Sequence, residues 1–154
     1  MLPFVRKDNG FTLLEVIAVL LIIAIIVAVA LIKGSASSTN SISVVSEAAT
    51  LKAHLRFAQV KALGDVPQTN TLGWGIQVNG SSYQILNNGS PWSLNLPGET
   101  SNTHTFAGGV TATPITVTFD RFGNPDLGAA NSITLTCGTQ TAVINITNTT
   151  GFIQ

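Results

Sequence analysis

VIAVLLIIAIIVAVALI, residues 16–32, runs for seventeen positions without a charge, a polar side chain, a glycine or a proline. Counted from Phe11, the stretch is about 22 residues, roughly 33 Å of helix at 1.5 Å per residue. That length matches the hydrocarbon core of a bilayer. A helix buried in a soluble core would carry a polar stripe along one side, and this one has none. The expected element is therefore a membrane-spanning helix over residues 11–33. Arg6 and Lys7 precede it, and the positive-inside rule keeps them cytoplasmic. Lys33 stands just past the far end, where its long stem reaches the interface. On this topology everything C-terminal to the span lies outside the cytoplasm.

One acid interrupts the N-terminal part of the apolar stretch. A carboxylate such as Glu15 near or within hydrocarbon costs on the order of 3 kcal/mol on insertion scales, so it needs a partner. A cut between Gly10 and Phe11 would create an α-amine close to Glu15. A neighbouring subunit's amine would serve equally well. The flanks differ from those of an ordinary secretory signal, which is cleaved after its apolar region at a small-residue site; here the glycine precedes that region.

Composition bounds the rest. The chain has 154 residues, enough for one folded domain, with seven basic and seven acidic side chains that together make up only 9% of it. An average soluble domain has about a quarter. So few cations argue against a nucleic-acid coat, which binds by neutralising phosphates. A single cysteine excludes an internal disulfide and any multi-cysteine metal site.

Beyond the span, residues 35–43 are small and polar, but a helical pattern follows. Val44, Ala48, Leu51, Leu55, Ala58 and Ala62 fall within about 80° of one another at 100° per residue. Ser43, Glu47, Thr50, His54 and Lys61 are expected on the opposing, polar side. Gly64 is a C-terminal cap and Pro67 a stop. The helix is thus expected to run from the span to residue 63, with any bend at Gly34 and the serines after it. The apolar repeat persists for fewer than three heptads, which favours packing on the chain's own sheet over a free-standing coiled coil.

Past Gly64 only Asp65, Glu99, Asp120, Arg121 and Asp126 are charged, and Gly, Thr, Asn and Ser make up nearly half of the residues. Residues 75–86 alternate apolar and polar about Asn79-Gly80, a hairpin signal. Residues 115–119 alternate again before a turn at 123–126. Residues 132–137 and 141–147 read as two further strands about Gly138, with threonines suited to the solvent face. Residues 87–113 are less regular and are expected to be a surface loop with one short strand. The fold class is α+β: a long N-terminal helix against an antiparallel β-sheet head.

The segment Lys7-Asp8-Asn9-Gly10-Phe11-Thr12-Leu13-Leu14-Glu15-Val16-Ile17 resembles the leader of type IV prepilins and type II secretion pseudopilins. That resemblance implies a pilin fold, cleavage after Gly10 by a membrane prepilin peptidase, and N-methylation of Phe11. It also implies that Glu15 pairs with the Phe11 amine of an adjacent subunit during assembly. The divisions it suggests are a leader at 1–10, a span and filament-core helix at 11–33, an amphipathic helix at 34–64 and a β-rich head at 65–154. In the head, residues 55–62, Trp74-Gly75-Ile76, residues 118–125 and Thr150-Gly151-Phe152-Ile153 resemble the H-type minor pseudopilins. Major pilins usually have a proline where this chain has Ile32, a glycine where it has Ala24, and a disulfide that Cys137 alone cannot form. These departures favour a minor subunit.

The function implied is a minor pseudopilin of type II secretion, held in the bacterial inner membrane with a periplasmic head and then assembled into a filament. A minor pilin of a type IV pilus is the alternative. Partners would be other pilins or pseudopilins, the prepilin peptidase and methyltransferase, the assembly machinery and membrane lipid, with no cofactor. Enzymatic chemistry is not expected. Cys137 and His104 are the one nucleophile and base pair available, and a cysteine ending an apolar strand is by default a small buried hydrophobe. Asp120 and Asp126 offer too few oxygens for calcium, which takes six or more, so they read as turn residues. Trp74 and Trp92 read as core. DNA capture by a C-terminal Gly-Arg motif, known in related minor pilins, has no counterpart in Gly151-Phe152-Ile153-Gln154. Arg121 is the head's single cation past Gly64, too little for useful phosphate binding.

Overall fold

Helix formation begins with the apolar run and continues far beyond it. A computed structural model describes residues 13–64, 73–128 and 131–154, with backbone alone for 29–38. Helix α1 spans Leu13–Gly64, and its helical backbone continues through Gly34, where the sequence suggests a bend. Gly10, Phe11 and Pro67 lie outside the described residues. The chain divides into two compact units, Met1–Ala36 and Ser37–Gln154.

In the first unit the described large side chains are exposed. Leu13 and Leu14 are more than three-quarters exposed, and Val16, Ile17, Val19, Ile22, Ile25 and Val27 are about half exposed. Among the described residues no helix is long and apolar enough to cross a membrane. The stretch read as a span, 11–33, extends beyond the described side chains at both ends.

The second unit is built on the C-terminal part of α1. Val44, Ala48, Leu51, Leu55, Ala58 and Ala62 are all buried, as their spacing predicts. Leu51 and Leu55 are fully buried, each worth about 1.5–3 kcal/mol relative to an exposed position. The expected polar side needs correction. Glu47 and His54 are buried at 8% and 2% exposure, because the head reaches round the helix and supplies partners for both.

The strands are β1 (Trp74–Val78), β2 (Ser82–Asn87), β3 (Ser90–Pro91), β4 (Thr103–Thr105), β5 (Thr111–Ala112), β6 (Ile115–Phe119), β7 (Pro125–Asp126), β8 (Ser132–Cys137) and β9 (Gln140–Asn145). They form two antiparallel sheets rather than one. The larger has the order β3-β2-β1-β6-β7, with β4 also paired to β2, and the smaller has the order β5-β8-β9. The β1–β2 hairpin turns at Gly80-Ser81, with Asn79 N–H donating to the Ser82 carbonyl at 2.8 Å. Gly80 has φ +81°, suited to the first loop position of a type II′ turn. Residues 87–113 hold three short strands, not one. Each is only two or three residues long and gains its hydrogen bonds from a longer neighbour.

One hydrophobic core joins the helix to both sheets. Ile76, Val78, Tyr83, Ile85, Val117 and Phe119 come from the larger sheet, and Ile133, Leu135, Cys137 and Ile144 from the smaller. Thr118 is buried because its cross-strand partner is Gly75. A Cβ on Gly75 would lie 2.3 Å from the Val117 carbonyl oxygen and 2.8 Å from the Thr118 methyl. The α+β architecture is thus a helix packed on antiparallel sheet, consistent with the pilin fold.

Candidate functional site

Glu15 lies in the first turn of α1, the end of a helix where its macrodipole favours an anion. Glu15, Val16, Val19 and Leu20 border one hollow on the helix surface. The structure places Glu15 there; Gly10 and Phe11, predicted to be the processing residues, lie outside the described residues.

In the head, residues from 55–62, 118–125 and 150–153 meet at one point. Gln59 of α1 donates both of its Nε2 hydrogens to backbone carbonyls, to Gly123 at 2.9 Å and Gly151 at 3.1 Å. Arg56, one turn earlier, donates to the Ile153 carbonyl at 3.0 Å. Gly151 has φ +63°, and a Cβ there would sit 2.2 Å from the Gly123 carbonyl oxygen. Only glycine fits so close a crossing of two backbones. Two stretches far apart in sequence are thereby pinned to one face of the helix, beside a groove lined by Arg56, Gln59, Val60 and residues 150–153.

The 120–126 turn is held from within. Asp120 accepts the backbone N–H groups of Phe122 and Asn124 at 2.8 Å each, and the Asn124 side-chain amide at 3.1 Å. The slight burial of its carboxyl works to raise its pKa. These hydrogen bonds, with the Arg121 charge, outweigh that and hold it below the usual carboxylate range. Asp126 accepts from Gly128 N–H at 3.2 Å. Both aspartates are thus turn and strand residues. Among the described residues no group of three His, Cys, Asp or Glu side chains is placed to hold a metal ion. Arg121 lies over the Phe122 ring, 4.6 Å from its centroid.

Cys137 and His104 are not brought together as a catalytic pair. The Cys137 thiol is buried and donates to the Gly108 carbonyl at 3.1 Å. His104 is held at both nitrogens by carboxylates: Nδ1 is 2.6 Å from Glu99 Oε1, and Nε2 is 2.8 Å from Glu47 Oε2. Burial disfavours the imidazolium, but the hydrogen bonds and charges of Glu47 and Glu99 prevail, so its pKa stands above the ordinary histidine value. Tyr83 stacks on His104 at 4.9 Å between centroids. Its burial, with the nearby Glu47 and Glu99 charges, pushes the phenol far above its usual value, so it remains neutral. The sequence offered no sign of this cluster, because its acids and bases are separated by five to 57 positions and none sits in a motif.

The tryptophans part company. Trp74 is buried, as expected, whereas Trp92 is 43% exposed and meets Trp74 edge-on at 5.8 Å. Trp92 lies just beyond the two-residue β3, at the rim where the larger sheet ends, which explains why it is not a core residue.

No curated protein and no solved structure matches the chain. Residues 5–31, which include Gly10, Phe11 and Glu15, match the family model described as the prokaryotic N-terminal methylation motif. The chain therefore carries a type IV pilin-like N-terminal signal, ahead of a head that the match does not reach.

Proposed function

We propose that this chain is a structural subunit of a pilus-like filament, a minor pseudopilin of type II secretion. The observation that carries the reading is the N-terminal methylation motif, with Glu15 as the single charged residue in the stretch 11–32. The head's resemblance to H-type pseudopilins supports the finer assignment, and three of the segments that carry it, 55–62, 118–125 and 150–153, are hydrogen-bonded to one another at one junction.

The mechanism is non-covalent polymerisation. Residues 11–33 hold the subunit in the inner membrane until assembly, with the head in the periplasm. A prepilin peptidase removes residues 1–10, and methylation follows at Phe11. Glu15 neutralises the Phe11 amine of a neighbouring subunit. The gain is large because an unpaired carboxylate in hydrocarbon costs on the order of 3 kcal/mol. Apolar helices then bundle inside the filament and the heads form its surface.

Three measurements test this. Glu15→Ala should insert in the membrane normally yet fail to enter filaments; normal incorporation would overturn the proposed pairing. Intact-mass analysis of the assembled protein should give methylated Phe11 as the first residue, and retention of Met1 would contradict processing. Deletion of the gene should abolish export of folded periplasmic proteins. Loss of surface pili with export intact would assign the chain instead to a type IV pilus.

A further inference from the structure

We propose that Glu47, His104 and Glu99 form a proton-operated clasp that fastens the 96–107 stretch of the head onto α1. The argument starts from donor count. A neutral imidazole has one N–H and one lone pair, whereas an imidazolium has two N–H groups. Both nitrogens of His104 face carboxylate oxygens within hydrogen-bonding distance, and an ionised carboxylate only accepts. The doubly protonated ring satisfies both. The neutral ring leaves a lone pair pointed at an anionic oxygen on one side.

His54 makes the contrast. Its Nε2 faces the Pro97 carbonyl at 3.0 Å and its Nδ1 faces the Tyr83 hydroxyl at 2.7 Å. The carbonyl accepts and the hydroxyl can either donate or accept, so neither partner of His54 sets a charge against a ring lone pair. So two histidines hold the same stretch to the core, and only His104 faces a carboxylate at both ring nitrogens.

The clasp has a mechanical consequence. Glu47 stands on α1 and also accepts the backbone N–H of Ala107 at 3.0 Å through its other oxygen. Glu99 belongs to a turn closed by its own N–H to the Leu96 carbonyl and by Leu96 N–H to the Ser101 carbonyl. Protonated His104 thus ties helix, turn and β4 together. The titratable groups around its ring are Glu47 and His54 from α1, Tyr83 from β2, and Glu99 from the turn, with Phe106 packed beside them.

The sign follows from linkage. Because the folded state binds the His104 proton more tightly than the unfolded chain, the clasp's stabilisation is present in full below the unfolded value of about 6.5 and is lost as pH rises through the folded value. The 96–107 stretch should therefore be secured in mildly acidic surroundings and loosened in alkaline ones.

The test uses the full-length chain in detergent micelles, with the His104 ring followed by NMR and the Ala107 amide by hydrogen exchange, from about pH 6 to about pH 9. The ring should titrate above about 6.5. Across that titration the protection factor of the Ala107 amide should fall about tenfold, the difference between a charge-assisted and a neutral hydrogen bond. The Ile144 amide, in the β8–β9 ladder, should not follow it. His104→Gln should abolish the step, and Glu99→Gln should move the ring's titration downward with the fold intact. A wild-type ring titrating at or below about 6.5 would overturn the proposal. So would unchanged Ala107 protection across the titration, or the same step persisting in His104→Gln. If His104→Gln does not fold, the wild-type titration and Glu99→Gln decide the matter.

Discussion

Replacing Gln59 by leucine removes one amide and disconnects three parts of the head. Leucine keeps the approximate volume of the side chain, so the change isolates the two hydrogen bonds to Gly123 and Gly151. Each such bond contributes about 1 kcal/mol net, and each abandoned buried acceptor costs a further 1–3 kcal/mol or so. Gly123 and Gly151 are both buried, so their carbonyls have little recourse to water. Their second lone pairs and the groove beside Gln59 temper the penalty, giving a total of about 2–4 kcal/mol. That is a large share of the 5–15 kcal/mol or so that stabilises a typical domain. Urea unfolding of the full-length chain in micelles, followed by tryptophan fluorescence, should show a lower midpoint with an unchanged slope. Gln59→Glu should be worse, since it aims a carboxylate at two carbonyl oxygens. A Gln59→Leu variant within about 0.5 kcal/mol of wild type would refute the view that this amide joins the helix to the two loops.

Two further perturbations bear on the head. Leu51→Ala, at a fully buried position facing the core, should lower unfolding stability by about 2–5 kcal/mol, measured by the same urea titration. Asp120→Ala should cost about 1 kcal/mol at neutral pH, a modest figure because the carboxylate is exposed to solvent. Its folded-state pKa is depressed, so its contribution is present above the unfolded value and is lost as pH falls through the folded one. The difference between wild type and Asp120→Ala should accordingly shrink on acidification, and a difference that grows would contradict the turn's hydrogen bonding.

Much of the architecture could be read before any coordinates. The buried stripe from Val44 to Ala62, the β1–β2 hairpin and strands β6 and β8 follow from period alone, because one face of each meets a core. The failures have a common cause. Glu47 and His54 lie only about 20° and 40° beyond the edge of the apolar stripe, so their burial depends on how far the head wraps the helix. Their partners His104, Tyr83 and Pro97 are 29 to 57 residues away, and side-chain pairing over such distances leaves no local pattern. The short strands β3, β4 and β5 are invisible for a related reason. At two or three residues they are defined by the strand beside them and not by their own alternation. Gly10, Phe11 and Glu15 show the opposite behaviour, since the methylation motif is written contiguously and needs no fold to be recognised.

Those short strands also bear on how such a head tolerates crowding. Unpaired strand edges invite other chains to add on, and many proteins deter this with lysine or other charges along the edge. This head has few charges to spend, yet its larger sheet is bounded by β3, β4 and β7, none longer than three residues. Brevity takes the place of charge, because an edge of two residues offers an incoming strand almost no ladder to extend. The six-residue β9 bounds the smaller sheet and is the longest edge among the described residues, with Val143 about half exposed on it. Where many copies are held side by side, unwanted strand addition should begin at β9, and a lysine at Val143 is the substitution that would suppress it.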